Sequence, residues 1–193
     1  LNEFSKVISK VMGLKLYLNE TTGNFLVNKK NLENIFTAWT TALHSTKVQK
    51  EIPILVHAED KMLDVVIELA KKLGNKVHVC HISTTKDLKQ IIKAKRQGLR
   101  ITCGITPHHL FLTEEDAKRL GAFGKMKPPL QSKQDQNFLW KNLKFIDVVE
   151  SDHAPHTIEE KRGEVVPFGV PGLETTLPLL LTAYHNKRLT IND

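Results

Sequence analysis

The chain is short of several things a reader could use to place it. It has two cysteines among 193 residues. Cys80 and Cys103 each sit inside an apolar, strand-like run, which excludes a disulfide framework and fits a reducing, cytoplasmic setting. Aromatic residues are 6% of the chain. No apolar run reaches the roughly 18–20 residues of a membrane span, so no membrane partner is expected. The opening LNEFSKVISK is interrupted by polar residues too often for a signal peptide. There are no internal repeats, no low-complexity tracts, and no Gly-rich phosphate loop after any strand-like run.

What is present is ordinary globular material, 40% hydrophobic and 25% charged. The net charge of +7 comes from lysine, 23 of the 28 basic residues. The lysines are scattered, so they read as a solvated surface and no nucleic-acid partner is expected. Length suits one sizeable core. With no initiating Met and no evident ending, the chain is expected to be a piece of something longer.

Apolar runs alternate with amphipathic helical patterns. Strands are expected at 13–18, 54–59, 77–83, 99–105 and 145–151. Helices are expected around Leu1 to Val11, Leu32 to Leu43, Met62 to Leu73, Leu88 to Lys95, Thr113 to Gly121, Ser132 to Leu143 and Leu173 to His185. Five βα repeats with strands rich in Val, Ile and Leu indicate a parallel sheet buried on both faces. Polar residues cluster at strand C-terminal ends: His57, His81, Pro107-His108-His109 and Asp152-His153. That is where a (β/α)8 barrel places its catalytic groups. An open doubly wound sheet shares the feature but calls for a phosphate loop. The fold class predicted is therefore a TIM-type barrel.

His57, His81 and Asp152 fall one per strand end. Imidazole nitrogens and a carboxylate suit Zn²⁺, with Co or Mn as further candidates. Strand alternation through 77–83 puts His78 on the face opposite His81 and so in a structural role. Lys15 interrupts GLKLYL. It is either a neutral amine that takes up CO₂ as a carbamate bridging two metals, or a lysine that reaches out to water; spacing leaves both open.

These residues carry a resemblance. GLKLYLNET (13–21), VHAE (56–59), CHIS (80–83), TPHHLFLTEED (106–116), SDHAPHTIEEK (151–161) and PFGVPGLETTLPLLLTA (167–183) together resemble dihydroorotase. This is a metal-dependent hydrolase family of the amidohydrolase superfamily. The form resembled is the one found as a domain of the animal trifunctional pyrimidine-pathway protein. The resemblance implies two Zn²⁺ ions per complete site, bridged by carboxylated Lys15. It implies that His57 and His81 bind the second zinc, and that Asp152 binds the first and shuttles the proton. It implies that His156, Lys127, Phe168 and Gly169 contact the substrate and that Thr21 belongs to a lid. The reaction implied is the reversible cyclisation of N-carbamoyl-L-aspartate to L-dihydroorotate and water. A homo-oligomer or a pathway-enzyme partner would fit. Allantoinase and dihydropyrimidinase are the enzyme alternatives, and an inactive scaffold domain is the non-enzyme one.

Three departures from the family pattern stand out. There is no His-x-His pair with an Arg two positions on, Gly104 replaces an acidic residue after Cys103, and Lys127 stands where relatives carry Asn or Arg. The first is explained if residues 1–193 form one partial barrel domain carrying strands four to eight. Such a domain would lack the N-terminal strands and the C-terminal segment, and the isolated chain would be inactive.

Overall fold

The computed structural model describes all residues except 2, 24, 47–50 and 193. In chain order the elements are α1 (Phe4–Val7), β1 (Leu14–Tyr17), α2 (Lys29–Ser45), β2 (Ile54–His57), α3 (Lys61–Leu73), β3 (Val77–Val79) and α4 (Thr85–Arg96). There follow β4 (Ile101–Ile105), α5 (Pro107–Phe111), α6 (Glu114–Leu120), α7 (Lys133–Lys141), β5 (Val148–Val149), α8 (Ile158–Arg162) and α9 (Leu173–His185). Two compact units share them: Leu1–Cys80 with Lys89–Thr102, and His81–Leu88 with Cys103–Asp193.

In the first unit the strands are parallel and pair in chain order. Leu14 lies beside Ile54 and Tyr17 beside His57; Ile54 lies beside Val77 and Leu55 beside His78. The Val77 N–H donates to Arg100 O (2.9 Å), just before β4 begins. One sheet face packs on α2 and α3. Leu32, Phe36, Trp39 and Ala42 recur at helical spacing on α2, and Leu63, Val66, Leu69 and Ala70 on α3; all are buried. Asn28 opens α2 by accepting the Lys30 N–H (2.9 Å). Gly74 closes α3 in the left-handed conformation (φ 70°), where a Cβ would be strained.

Trp39 anchors this unit. It is 1% exposed, meets Phe4 edge-on at 5.1 Å between ring centroids, and donates its indole N–H to Ile52 O (3.1 Å). Truncation leaves a cavity and a buried carbonyl without its donor. Trp39→Ala is therefore expected to cost about 3–5 kcal/mol, read as a lowered denaturant midpoint.

In the second unit β4 and β5 are parallel, with Gly104 beside Val148 and Ile105 beside Val149. Three short helices start on side-chain caps: Thr113 with Asp116, Ser132 with Asp135, and Thr157 with Glu160. Cys103, Ile105, Leu110, Leu130, Leu139 and Ala183 are buried here.

The five strands and the larger helices fall where the periodicity puts them, but strand lengths differ. The third strand stops at Val79 rather than 83, because the chain turns at His81 with φ 39°. The fifth shrinks to Val148–Val149 behind a single 3-10 turn at Leu143–Phe145. The periodicity showed neither α5, which Thr106 caps with Pro107 at its first position, nor α8. Both are about one turn long, too short to show a period. Among the described residues no helix is long and apolar enough to cross a membrane.

Candidate active site

In the first unit, alternation along β1 buries Leu16 and turns Lys15 and Tyr17 to the other face. The register then sets Lys15, Leu55 and His78 in one row and Tyr17 and His57 in the next. His78 thus shares the face of Lys15 and His57, and its Nδ1 lies 2.9 Å from Thr102 Oγ1. Alternation sets His78 opposite His81 only along an unbroken strand, and the strand ends at Val79.

Lys15 is exposed, donates to Cys80 Sγ (3.0 Å) and lies 5.1 Å from the centroid of the Tyr17 ring. His57 closes β2. It is 1% exposed, and its Nε2 stands 3.1 Å from Glu59 Oε1. Glu59 is itself held, its N–H donating to Asn19 Oδ1 (2.8 Å). A carboxylate on one ring nitrogen fixes the tautomer and the ring plane, as metal-binding histidines generally require. The VHAE motif therefore supplies both the imidazole and the group that orients it. Thr21 lies half-buried between β1 and α2.

In the second unit the two expected metal ligands share a backbone feature. His81 (φ 39°) and Asp152 (φ 42°) both adopt the left-handed conformation that non-glycine residues rarely take. Each follows a strand by two or three residues. Such conformations cost on the order of 1–3 kcal/mol and concentrate at functional sites. His81 is buried and Asp152 exposed.

Four residues expected at the substrate come together in this unit. His156 Nε2 lies 3.0 Å from Phe168 O, so its N–H donates there, and Nδ1 is 3.5 Å from Glu160 Oε2. Lys127 Nζ is 5.5 Å from the centroid of the Phe168 ring. Gly169 (φ 135°) is packed so closely that a Cβ would lie 2.7 Å from Ala154 Cβ. Only glycine fits that position.

Sequence reasoning missed the group that holds this loop. Lys161 is 4% exposed and donates to both Lys125 O (3.1 Å) and Pro167 O (3.0 Å). The Gly169 N–H shares the Lys125 carbonyl (3.1 Å). Burial, and next the neighbouring Lys125 charge, lower the Lys161 pKa. Nothing in TIEEK distinguishes Lys161 from a surface lysine. His153 was also missed: its Nδ1 accepts the N–H groups of Gly172 (3.1 Å) and Leu173 (3.2 Å), where α9 begins.

His108 and His109 are structural. His109 Nε2–H donates to Pro128 O (3.1 Å), so Nδ1 accepts from Thr106 Oγ1 (2.6 Å). Burial, and next the His109 ring, push the His108 pKa down from 6.5 to about 3. Between those values the unfolded chain binds more protons than the folded one. Stability therefore falls as pH drops through 6.5 towards 3, by up to about 1.4 kcal/mol per pH unit. A His108→Leu variant should show a shallower loss of unfolding free energy over that range than the parent.

No protein-family model matches the chain. Curated relatives do. Multifunctional protein CAD of Squalus acanthias is 42% identical over 188 residues, 97% of this chain and 8% of that protein. Dihydroorotase of Pyrococcus horikoshii is 36% identical over 184 residues, 93% of this chain and 42% of that protein. Its close homologues are dihydroorotases and the dihydroorotase region of multifunctional CAD.

The chain spans less than half the length of these family members. Among solved structures it is similar to L-hydantoinase (dihydropyrimidinase) from Arthrobacter aurescens, with a TM-score of 0.87, 25% identity and coverage of 98% of this chain and 50% of the other. It is also similar to the inactive dihydroorotase-like domain of the Chaetomium thermophilum CAD-like multifunctional protein. There the TM-score is 0.74 at 28% identity, over 99% of this chain and 51% of that one. Parallel strands joined in chain order by helices are part of the barrel these neighbours share. His57 ends β2, and His81 and Asp152 follow the ends of β3 and β5, the strand ends where such barrels keep their chemistry.

Proposed function

We propose that the full-length protein is a zinc-dependent dihydroorotase, reversibly closing N-carbamoyl-L-aspartate to L-dihydroorotate and water in pyrimidine biosynthesis. The structural observation that supports this most is the left-handed backbone at both His81 and Asp152. Such conformations cluster at functional sites; Asp60 and Lys187 share the positive φ, next to the start of α3 and the end of α9.

The donor set suits zinc. His57 and His81 are buried imidazoles, His57 already carries an orienting carboxylate, and Asp152 offers a carboxylate. Lys15, as a carbamate, would hold zinc together with His57, His81 and Asp152, and zinc bound there would supply Lewis-acid polarisation and a water activated at neutral pH. Asp152 takes the proton from the attacking water and returns it to the leaving ring nitrogen in the hydrolytic direction; the reverse path closes the ring. His156 and the backbone of Phe168 and Gly169 orient the substrate, and Lys127 offers positive charge to its carboxylate. Thr21 lies in the segment that would close over the site.

Residues 1–193 would form one partial barrel domain, inactive alone because the rest of the first metal shell lies outside it. Pathway enzymes fused to or assembled with it, or a second copy, are the partners in this reading. Cys80 and Cys103 are buried as thiols rather than joined in a disulfide, which supports a cytoplasmic setting.

A second reading is an inactive scaffold domain. It is favoured by the likeness to the inactive Chaetomium domain and by Gly104. Stripping metal from the full-length protein with a chelator and restoring zinc separates the two. An enzyme loses turnover of N-carbamoyl-L-aspartate and regains it; a scaffold shows none at any stage.

A further inference from the structure

The turn that carries His81 is braced by a carboxylate from the end of β5. The His81 N–H donates to Glu150 Oε1. One residue later the Ile82 N–H donates to Gly104 O of β4 (2.8 Å). The amide that the left-handed turn removes from the ladder is thus taken up by a side chain, as a buried N–H requires.

Glu150 can occupy this place because residue 104 is glycine. A Cβ at 104 would lie 2.6 Å from Glu150 Cδ and 3.2 Å from Cγ, inside contact distance. Gly104 and Glu150 are therefore a matched pair: the space one leaves, the other fills. A side chain at 104 would push the carboxylate off the His81 amide.

We propose that Glu150 is a positioning residue for His81. Its carboxylate holds the backbone turn that aims the imidazole at the metal, and Gly104 is the residue that permits it. The inference rests on His81 being a metal ligand. Outer-shell partners of this kind set metal affinity by about ten- to hundredfold.

The test is zinc affinity of the full-length protein, measured by competition with a chromophoric chelator, with circular dichroism to confirm folding. Glu150→Ala should bind zinc about ten- to hundredfold more weakly. Glu150→Gln keeps an acceptor oxygen and should stay within about threefold of the parent. The double variant Gly104→Glu with Glu150→Ala returns a carboxylate to the same space and should recover most of the loss, which a merely structural role for Glu150 would not produce. Unchanged affinity in Glu150→Ala overturns the proposal, as does a folded double variant no better than Glu150→Ala. His81→Ala separates the two levels. If it keeps parental affinity, the ligand reading itself falls. If it loses zinc while Glu150→Ala does not, only the role of Glu150 falls.

Discussion

Asp152→Asn in the full-length protein should lower kcat by about 10²–10⁴, the usual worth of a positioned general acid–base. The amide matches the carboxylate in size, and the φ of 42° at this position is one that Asn tolerates at least as well as Asp. Folding should therefore be unaffected, and the loss should be chemical. The His57 and His81 metal should stay largely bound, because neither imidazole depends on the proton at residue 152. Steady-state kinetics with metal analysis on the same sample check both halves. Near-parental kcat would refute the shuttle role.

His57→Ala should abolish bound metal at its site and turnover with it. His57 is 1% exposed and already tied to Glu59 at 3.1 Å. Removing the imidazole leaves a cavity beside a half-buried carboxylate that has lost its partner, so some stability is lost as well. His57→Gln fills the cavity and separates the effects: folding should recover while metal does not. Zinc per chain, measured on purified protein, should fall by at least one ion relative to the parent in both variants. A parental zinc content in either would remove His57 from the site.

Much of this is legible in the sequence. The alternation of apolar runs with amphipathic helical patterns located β1 to β5 and α2, α3, α4, α7 and α9: the strands lie within apolar runs, and the helices are long enough to show a period. His57 and His81 were visible as polar interruptions of apolar runs. What stayed hidden has physical causes. His81 leaves the strand by a left-handed turn, so alternation counted straight through it does not relate the faces of His78 and His81. Lys161 is buried by the loop it holds, a tertiary fact with no local signature. Gly104, read along the chain, is a missing acid. In space a carboxylate fills the place of its absent side chain, from Glu150, forty-six residues further on.

The most direct test of the central claim is the initial rate of L-dihydroorotate hydrolysis by the zinc-loaded full-length protein, set beside hydantoin, dihydrouracil and allantoin under the same conditions. The account predicts turnover of dihydroorotate well above the other three. Preference for any of the others, or no turnover of dihydroorotate with zinc bound, would contradict it.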